Sequence, residues 1–415
     1  MTPDVSRVLE RIEELFALAP GENGGASRPA FSGAEARAMH RVAGWAGEAG
    51  LEAAVDPHGN LWCLPPGDAP CVTSGSHLDT VPDGGRYDGP LGTVLAVKAA
   101  ARVGGNRGVL VCAAEEASRF GAGTLGSRTM TGKLSDGDLS RLRDAAGRDA
   151  LSARSGYLDA LEGLPRLERA PLERISSHVE VHIEQRADLR GRSLSLGVAT
   201  AVAGPVRHRL RFVGEVAHAG ETPASERRDA LCAAAEAVLL AEKLGRRYAP
   251  ETTATAGTLD IRPNSLTSIP GAAEVGVDIR GVLPGGAQLL LEELLHGARE
   301  AADRRGVRFE DQALSGSAPM EMDGGMVSAV EDVCARQGVR CVRCVRCVSF
   351  AGHDAQHLAA VAPAALVFVA SENGVSHAPG EAVAREDVEA ALAVLCALVE
   401  DLQGERTPQT LRGRR

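Results

Sequence analysis

The sequence predicts an α/β protein whose large domain, built on a mostly parallel central sheet, carries a smaller inserted α+β domain. Its 415 residues exceed the roughly 250–300 that one hydrophobic core usually supports, which favours two domains. The segment RGVLVCAAEE is a continuous apolar run, as expected for a strand buried on both faces of a parallel sheet. Similar strands alternate with helical segments, a pattern typical of helices that cover both faces of a sheet.

Caps and turns predict the first elements. Ser32 and Glu35 form a capping-box pattern at the start of a helix that Gly50 can end. The residues DPHGN, 56–60, are typical of a turn between strands. CVTSGS is then predicted to lead into a glycine-rich loop, with LGTVLAVKAAARVG as the helix behind it.

Residues 206–317 predict the inserted domain. Strand and helix segments follow each other there in the order RHRLRFVGEVAHAG, ERRDALCAAAEAVLLAEKLG, TTATAGTLDIRP, AAEVGVDIRG, GAQLLLEELLHGAREAADRRG and VRFEDQ. This βαββαβ order is that of the split-βαβ sandwich. Residues 1–205 and 318–415 are therefore predicted to form the large domain.

The charge balance excludes some partners. Acidic residues outnumber basic ones by 55 to 45, which argues against nucleic acid or an anionic membrane as the main partner. No apolar run reaches the roughly 18–20 residues that a membrane span needs. Because the N-terminus MTPDVSRVLERIEELF predicts a charged amphipathic helix rather than a signal peptide, we expect a cytoplasmic protein with reduced cysteines.

A cysteine triplet leaves two interpretations open. The segment GVRCVRCVRCVSF spaces Cys341, Cys344 and Cys347 as C-x2-C-x2-C. A metal or iron–sulfur site would need a fourth ligand, and no partner at a known spacing is evident. A short tandem duplication near a strand requires no ligand and is favoured.

The loop GSHLDTVPDGGRYDGPLG, residues 75–92, contains His77, Asp79, Asp83 and Asp88. Its glycines and prolines disfavour helix and strand, and a loop of this length usually has a functional role. Imidazole and carboxylate groups that follow a buried strand suit a borderline metal such as zinc. This loop is therefore a candidate metal site.

Four further segments carry similar side chains. They are the strand end with Glu115 and Glu116, the segment SHVEVHIEQ with His182, AGHDAQH with His353 and Asp354, and SENGVSHAPGE with His377. A lone histidine is more often structural, but burying carboxylates is costly unless they are paired or bind a cation. Five such segments in one chain predict a metal centre.

These motifs resemble the hydantoinase/carbamoylase family of metal-dependent amidases. GSHLDTVPDGGRYDGPLG, EEASRFGAGTLGSR, HIEQ, AHAGETPASERRDAL, DIR, AGHDA and GVSHAPGE occur in the family's order between about Gly24 and Glu381. The family includes N-carbamoyl-L-amino-acid hydrolases, β-ureidopropionases and allantoate amidohydrolases, within the dinuclear-metal aminoacylase and carboxypeptidase superfamily. The resemblance implies a catalytic large domain, an inserted lid and dimerisation domain, and a homodimer.

The resemblance also implies ligands for two divalent metal ions. Asp88 bridges them, His77 and His182 complete one site, and Glu116 and His377 complete the other. Zinc is the expected metal, and manganese, cobalt or nickel share such ligands.

Catalytic roles follow from the same resemblance. Two close cations lower the pKa of a shared water, and Glu115 is placed to take its proton and pass it to the leaving nitrogen. Asp79 is expected to orient His77 or to cap a turn, and Asp83 to support the turn. His218 is expected to stabilise the oxyanion, often from the dimer partner in this family.

Substrate contacts are implied for Arg280, which would hold a carboxylate, and for Gln185. The sequence also departs from the family. HIEQR places Arg186 where glycine is usual, PNSLTSIPG places Thr267 where a substrate-binding asparagine is expected, and SFAGHDA places Phe350 where glycine is usual. Because threonine offers a hydroxyl and a methyl in place of an amide, we expect a substrate that differs at the group this position contacts.

The sequence thus predicts an amidohydrolase that cleaves the C–N bond of a carboxylate-bearing N-carbamoyl or ureido compound. Two alternatives stay open. The same centre could cleave an N-acyl or peptide amide, or the chain could be a non-catalytic metal- or ligand-binding homologue. Glu115 together with a complete ligand set favours catalysis.

Overall fold

The computed structural model describes residues 3–344 and 352–404. Their contacts define two compact units, one containing residues 3–200, 322–344 and 352–404, the other Ala201–Glu321. The second unit begins a few residues before position 206 and ends a few residues after position 317. Within the described part of the chain, no helix is both long enough and apolar enough to cross a membrane.

The secondary structure is as follows. The described strands are β1 (Glu52–Val55), β2 (Leu61–Leu64), β3 (Cys71–Gly75), β4 (Arg107–Val111), β5 (Ile175–Ile183), β6 (Leu196–Ala199), β7 (Ala201–Val202), β8 (Gly204–Val213), β9 (Ala217–His218), β10 (Thr252–Arg262), β11 (Ser268–Ile269), β12 (Ala272–Gly281), β13 (Arg308–Gly316), β14 (Met320–Glu321), β15 (Cys341–Cys344) and β16 (Ala364–Val369). The described α-helices are α1 (Pro3–Ala17), α2 (Gly33–Glu48), α3 (Pro90–Arg102), α4 (Leu125–Met130), α5 (Asp136–Leu139), α6 (Ala150–Ala160), α7 (Asp188–Gly191), α8 (Ala230–Arg247), α9 (Gly286–Arg304), α10 (Gly324–Arg336), α11 (Ala355–Leu358) and α12 (Arg385–Gly404).

The larger unit is built on a sheet with the strand order β1-β2-β4-β3-β5-β16-β6-β15. Its central strands β4, β3, β5 and β16 run parallel, while β1, β2 and β6 join through antiparallel pairings. Nearly every residue of these central strands is buried, which explains their continuous apolar sequence. Helices α3 and α12 pack against the sheet. The predicted α/β class with a mostly parallel central sheet is confirmed.

The smaller unit has the predicted βαββαβ order, formed by β8, α8, β10, β12, α9 and β13. The strands form an antiparallel sheet in the order β10-β12-β8-β13. Alternate residues of β12 are buried, and they join a core with apolar side chains of α8 and α9. One face of the sheet is therefore covered by helices, and the other carries half-exposed polar side chains.

The capping box predicted at the start of α2 is only half formed. Ser32 Oγ accepts the backbone N–H of Glu35 at 3.2 Å, but the reciprocal half of the predicted capping box is absent. The Glu35 carboxylate instead accepts the backbone N–H of Phe31, because a buried backbone donor outside the helix requires an acceptor.

In the cysteine triplet, β15 contains Cys341 and Cys344, and Cys347 lies outside the described residues.

Candidate metal centre

The carboxyl ends of the central parallel strands position the side chains of the centre. Strands β3, β4, β5 and β16 run in one direction, so their carboxyl ends lie along one edge of the sheet. Ligand sites of open α/β sheets form at such an edge. The loop with His77 follows β3, Glu115 and Glu116 follow β4, His182 lies at the end of β5, and His377 follows β16.

Two clusters of potential metal ligands share one carboxylate. In the first, Asp88 Oδ1 lies 3.4 Å from His77 Nε2 and 3.1 Å from His182 Nε2. In the second, Asp88 Oδ2 lies 3.4 Å from His377 Nε2, which is 3.2 Å from Glu116 Oε1. The ligand atoms within each cluster lie within 4.8 Å of one another. The structure therefore brings together all five side chains for which the sequence predicted metal contacts.

The spacing of these atoms suits a metal ion. Ligands held about 2.0–2.2 Å from one ion in a tetrahedral arrangement lie roughly 3.3–3.6 Å apart, and the contacts to Asp88 Oδ1 are 3.4 and 3.1 Å. His77 Nδ1 faces the carbonyl oxygen of Asp79 at 3.1 Å, and His182 Nδ1 faces that of Ile183 at 2.9 Å. Donation from both Nδ1 atoms leaves each Nε2 free to act as a ligand.

The facing nitrogens give a second test of fit. His77 Nε2 and His182 Nε2 are 3.4 Å apart, and both rings are buried. Two protonated imidazoles at this distance would repel each other. A divalent cation bound by two nitrogen lone pairs and the Asp88 carboxylate avoids this repulsion, so the residues present fit a metal ion.

The electrostatics of the centre are unusual. Burial by itself raises the pKa of Asp88, but when the histidines are protonated the charge of His182 and hydrogen bonds from three histidines hold this pKa well below its usual value. Hydrogen bonds to Asp88 and Glu116 raise the pKa of His377 to about 11. His377 also has a left-handed backbone with φ of 60°, a conformation that is disfavoured for side chains with a Cβ and concentrates at functional sites.

Asp79 supports the loop that carries the two glutamates. Its carboxylate oxygens accept the backbone N–H groups of Glu115 and Glu116 at 3.0 and 2.9 Å. Asp79 Oδ1 also lies 3.5 Å from His77 Nδ1, farther than the carbonyl oxygen of the same residue. The shortest contacts of the Asp79 carboxylate are therefore with the backbone of the neighbouring loop, and its predicted role in orienting His77 stays a prediction.

Glu115 lies beside the first cluster. Its Oε2 is 3.8 Å from His77 Nε2, and burial raises the pKa of Glu115 well above its usual value although His77 opposes the shift. Gln185, predicted to contact substrate, donates from Nε2 to Asp88 Oδ2 at 3.1 Å. Both side chains therefore face the candidate centre.

Comparison with known proteins assigns the family. The profile of Peptidase family M20/M25/M40 matches residues 74–401. The chain belongs to this family. It is 34% identical to an N-carbamoyl-L-amino acid amidohydrolase of Geobacillus stearothermophilus, over 96% of this chain and 99% of that protein. It is 30% identical to an allantoate amidohydrolase of Bacillus subtilis (strain 168), over 95% of this chain and 97% of that protein.

A solved structure places this M20 chain within a narrower group. The crystal structure of a hydantoinase/carbamoylase family amidase from Burkholderia multivorans matches it with a TM-score of 0.85 and 29% identity. The match covers 97% of this chain and 98% of that structure. The resemblance to this amidase family, inferred from the sequence motifs, is confirmed.

The candidate metal centre also includes contacts that the motifs did not predict. Ser376 Oγ donates to Asp88 Oδ2 at 2.6 Å. Glu381 Oε1 accepts the backbone N–H groups of Tyr87 and Asp88 at 2.6 and 3.0 Å. Both residues lie in the motif GVSHAPGE, in which the sequence predicts a role for the histidine alone. Ser376 directly precedes that histidine and Glu381 follows it by four positions, so closeness in sequence to a predicted ligand was the available signal.

His353 and Asp354, the two candidate residues of the segment AGHDAQH, belong to neither ligand cluster. The His353 ring packs edge-on against His182 with centroids 4.5 Å apart. Asp354 Oδ1 accepts a hydrogen bond from Ser127 Oγ at 2.5 Å. Both side chains are buried, and His353 packs directly against one of the five proposed metal ligands.

Three predicted site residues lie in the smaller unit. His218 pairs with Ser268 between β9 and β11, and its Nδ1 accepts the backbone N–H groups of Gly220 and Glu221, each at 3.1 Å. The carbonyl of Thr267 accepts the N–H of Ala219 at 3.0 Å, so Thr267 lies beside the His218 strand.

Arg280 lies on β12. Its guanidinium contacts both carboxylate oxygens of Asp278, at 2.8 and 3.0 Å. This pairing holds the planar group in one orientation. Phe350, the last predicted substrate contact, lies outside the described residues.

Proposed function

We propose that the chain is a divalent-metal-dependent amidohydrolase that hydrolyses the C–N bond of a carboxylate-bearing N-carbamoyl or ureido compound, releasing ammonia and carbon dioxide. The observation that carries the proposal is the Asp88 carboxylate, whose two oxygens face two separate ligand clusters. Relatives named N-carbamoyl-L-amino acid amidohydrolase and allantoate amidohydrolase support the substrate class. The similarity to a hydantoinase/carbamoylase family amidase also supports cleavage of a C–N bond other than a peptide bond.

Five side chains would hold two ions. His77 and His182 would bind one, Glu116 and His377 the other, and Asp88 both. Such ions, when bound, polarise a carbonyl and lower the pKa of a water from about 16 to about 7. Zinc is the proposed metal, and manganese, cobalt or nickel would also suit nitrogen and carboxylate ligands.

Glu115 is the proposed general base. Its carboxylate lies beside the first cluster but in neither ligand group, so it remains available to accept a proton from water and to deliver it to the leaving nitrogen. Asp79 fixes the backbone amide of Glu115, which limits the positions that the carboxylate can reach.

Residues of the smaller unit complete the proposal. His218 stabilises the negative charge that develops on the carbonyl oxygen, and Arg280 holds the substrate carboxylate through two parallel hydrogen bonds. Gln185, Thr267 and Phe350 contact the substrate. We also propose a homodimer, in line with the family resemblance.

A screen for ammonia release tests this function. Purified protein loaded separately with zinc, manganese, cobalt or nickel is assayed with N-carbamoyl amino acids, allantoate-like ureido acids and N-acyl amino acids. Ammonia from a ureido substrate, lost after chelation and in Glu115→Gln, is the expected result. Cleavage of N-acyl substrates alone would establish the alternative amide hydrolase. Binding of metal without turnover of any substrate would favour a non-catalytic homologue.

A further inference from the structure

The loop that presents Glu115 and Glu116 is held by side-chain acceptors from distant parts of the chain. Four consecutive backbone amides donate to them: Ala113 to Asn60 Oδ1, Ala114 to Glu35 Oε1, Glu115 to Asp79 Oδ1 and Glu116 to Asp79 Oδ2, at 3.0, 3.0, 3.0 and 2.9 Å. Buried amides outside regular secondary structure need such partners. The conformation of this loop therefore depends on three side chains.

Glu35 joins two strained turns. Phe31 and Ala114 have left-handed backbones, with φ of 52° and 55°, which residues with a Cβ adopt at an energetic cost. The Glu35 carboxylate accepts both of their N–H groups, that of Phe31 at 2.6 Å and that of Ala114 at 3.0 Å. Because the Glu35 side chain is fully buried, bulk water does not compete for these two hydrogen bonds.

A buried cation accompanies this carboxylate. Burial raises the pKa of Glu35, and the nearby Asp79 carboxylate adds to the shift. Arg28 opposes it. Its guanidinium is fully buried, donates to the carbonyls of Leu78 and Leu15 at 2.8 and 2.9 Å and interacts with both carboxylates. Burial lowers the pKa of Arg28 to about 10, while the Asp79 and Glu35 carboxylates oppose that shift, so this group stays cationic at neutral pH.

We propose that Glu35 is a positioning residue of the metal centre. Through the Ala114 amide, it holds the left-handed turn from which the Glu115 and Glu116 carboxylates reach the centre. The inference rests on the proposed function for the role of Glu115, whereas the effect on Glu116 concerns metal binding alone. Neither carboxylate oxygen of Glu35 is among the potential metal ligands of the described chain, so the effect is exerted through the backbone.

The test compares two substitutions at the start of α2. Glu35→Gln keeps the size of the side chain but replaces one acceptor oxygen with an NH2 group, which faces a backbone N–H. Ser32→Ala removes the N-cap of the same helix and leaves the Glu35 carboxylate unchanged. Metal-free wild type and both variants are titrated with zinc against a chromophoric chelator, and kcat, KM and the thermal midpoint are measured.

For Glu35→Gln we expect one of two zinc ions to bind about 10–100-fold more weakly, with kcat reduced by a similar factor and KM nearly unchanged. Ser32→Ala should lower the thermal midpoint without changing zinc affinity or kcat. Wild-type zinc affinities and kcat in folded Glu35→Gln would overturn the inference. Should Glu35→Gln not fold, Glu35→Asp, whose shorter carboxylate cannot span both amides, is measured against the same expectations.

The zinc titration also separates the two proposals. Wild type that binds two zinc ions but hydrolyses no ureido substrate would contradict the proposed function, while weakened zinc binding in the Glu35 variant would still support the positioning role. An active wild type with an equally active, fully metallated Glu35→Gln would contradict only the positioning role.

Discussion

Asp88 Oδ1 lies 3.1 Å from His182 Nε2, while the second oxygen of the same carboxylate faces a different histidine. One side chain therefore belongs to both ligand clusters. Removing it should affect both proposed ions, whereas removing a ligand from one cluster should affect one ion.

Metal content tests this division. We expect Asp88→Ala to lose both ions, because each cluster then lacks its shared carboxylate, and His377→Ala to retain the ion bound by His77 and His182. Elemental analysis of dialysed protein measures the stoichiometry. Equal metal loss in both variants would contradict two distinct sites, and a folded Asp88→Ala that keeps two ions would contradict the shared ligand.

Neighbouring glutamates should differ in role. In Glu115→Gln we expect kcat to fall about 10²–10⁴-fold, because the proposed general base is lost, with metal content unchanged. Glu116→Gln is the matched control, and it should lose metal because a ligand is removed. Steady-state kinetics and elemental analysis of the same preparations measure both effects. Full activity in Glu115→Gln would remove this residue from the mechanism.

Arg280 should determine affinity for the substrate carboxylate. A hydrogen-bonded charged contact contributes about 1.5–3 kcal/mol, so Arg280→Ala should raise KM roughly 10–100-fold, and Arg280→Lys should restore little because lysine lacks the planar fork. Arg209, on the same sheet face and 3.7 Å from Glu274, provides the control. If Arg209→Ala raises KM equally, the effect is a general one of positive charge.

His178 should make stability depend on pH. Burial lowers the pKa of His178 to about 3, whereas an unfolded histidine titrates near about 6.5. The unfolded state therefore binds more protons between these values. The His178 contribution to the free energy of unfolding is undiminished above about pH 6.5 and declines as pH falls toward about 3, by up to roughly 1.4 kcal/mol per pH unit.

Urea unfolding at about pH 7.5 and about pH 5 measures this dependence. His178→Gln should show a smaller loss of stability at the lower pH than wild type. His296→Gln, which changes an exposed side chain, should behave as wild type does. Identical losses in wild type and His178→Gln would show that other groups cause the acid sensitivity.

Much of the fold could be predicted because its signals are local. The apolar run of β4 and the buried alternation of β12 reflect which strand faces are covered. The capping prediction was only half right, since Ser32 caps α2 but the Glu35 carboxylate bonds elsewhere. The zinc assignment, the homodimer and the roles of His218 and Arg280 stay predictions.

The sequence by itself determined the order of elements and the identities of candidate ligands, because strand periodicity and strand-end residues are encoded in neighbouring positions. Only the tertiary structure decided which groups support them. Ser376 meets Asp88 across 288 positions, and Glu35 meets Ala114 across 79. Such contacts depend on how strands and loops pack, and the need to satisfy buried backbone amides has no local sequence signature.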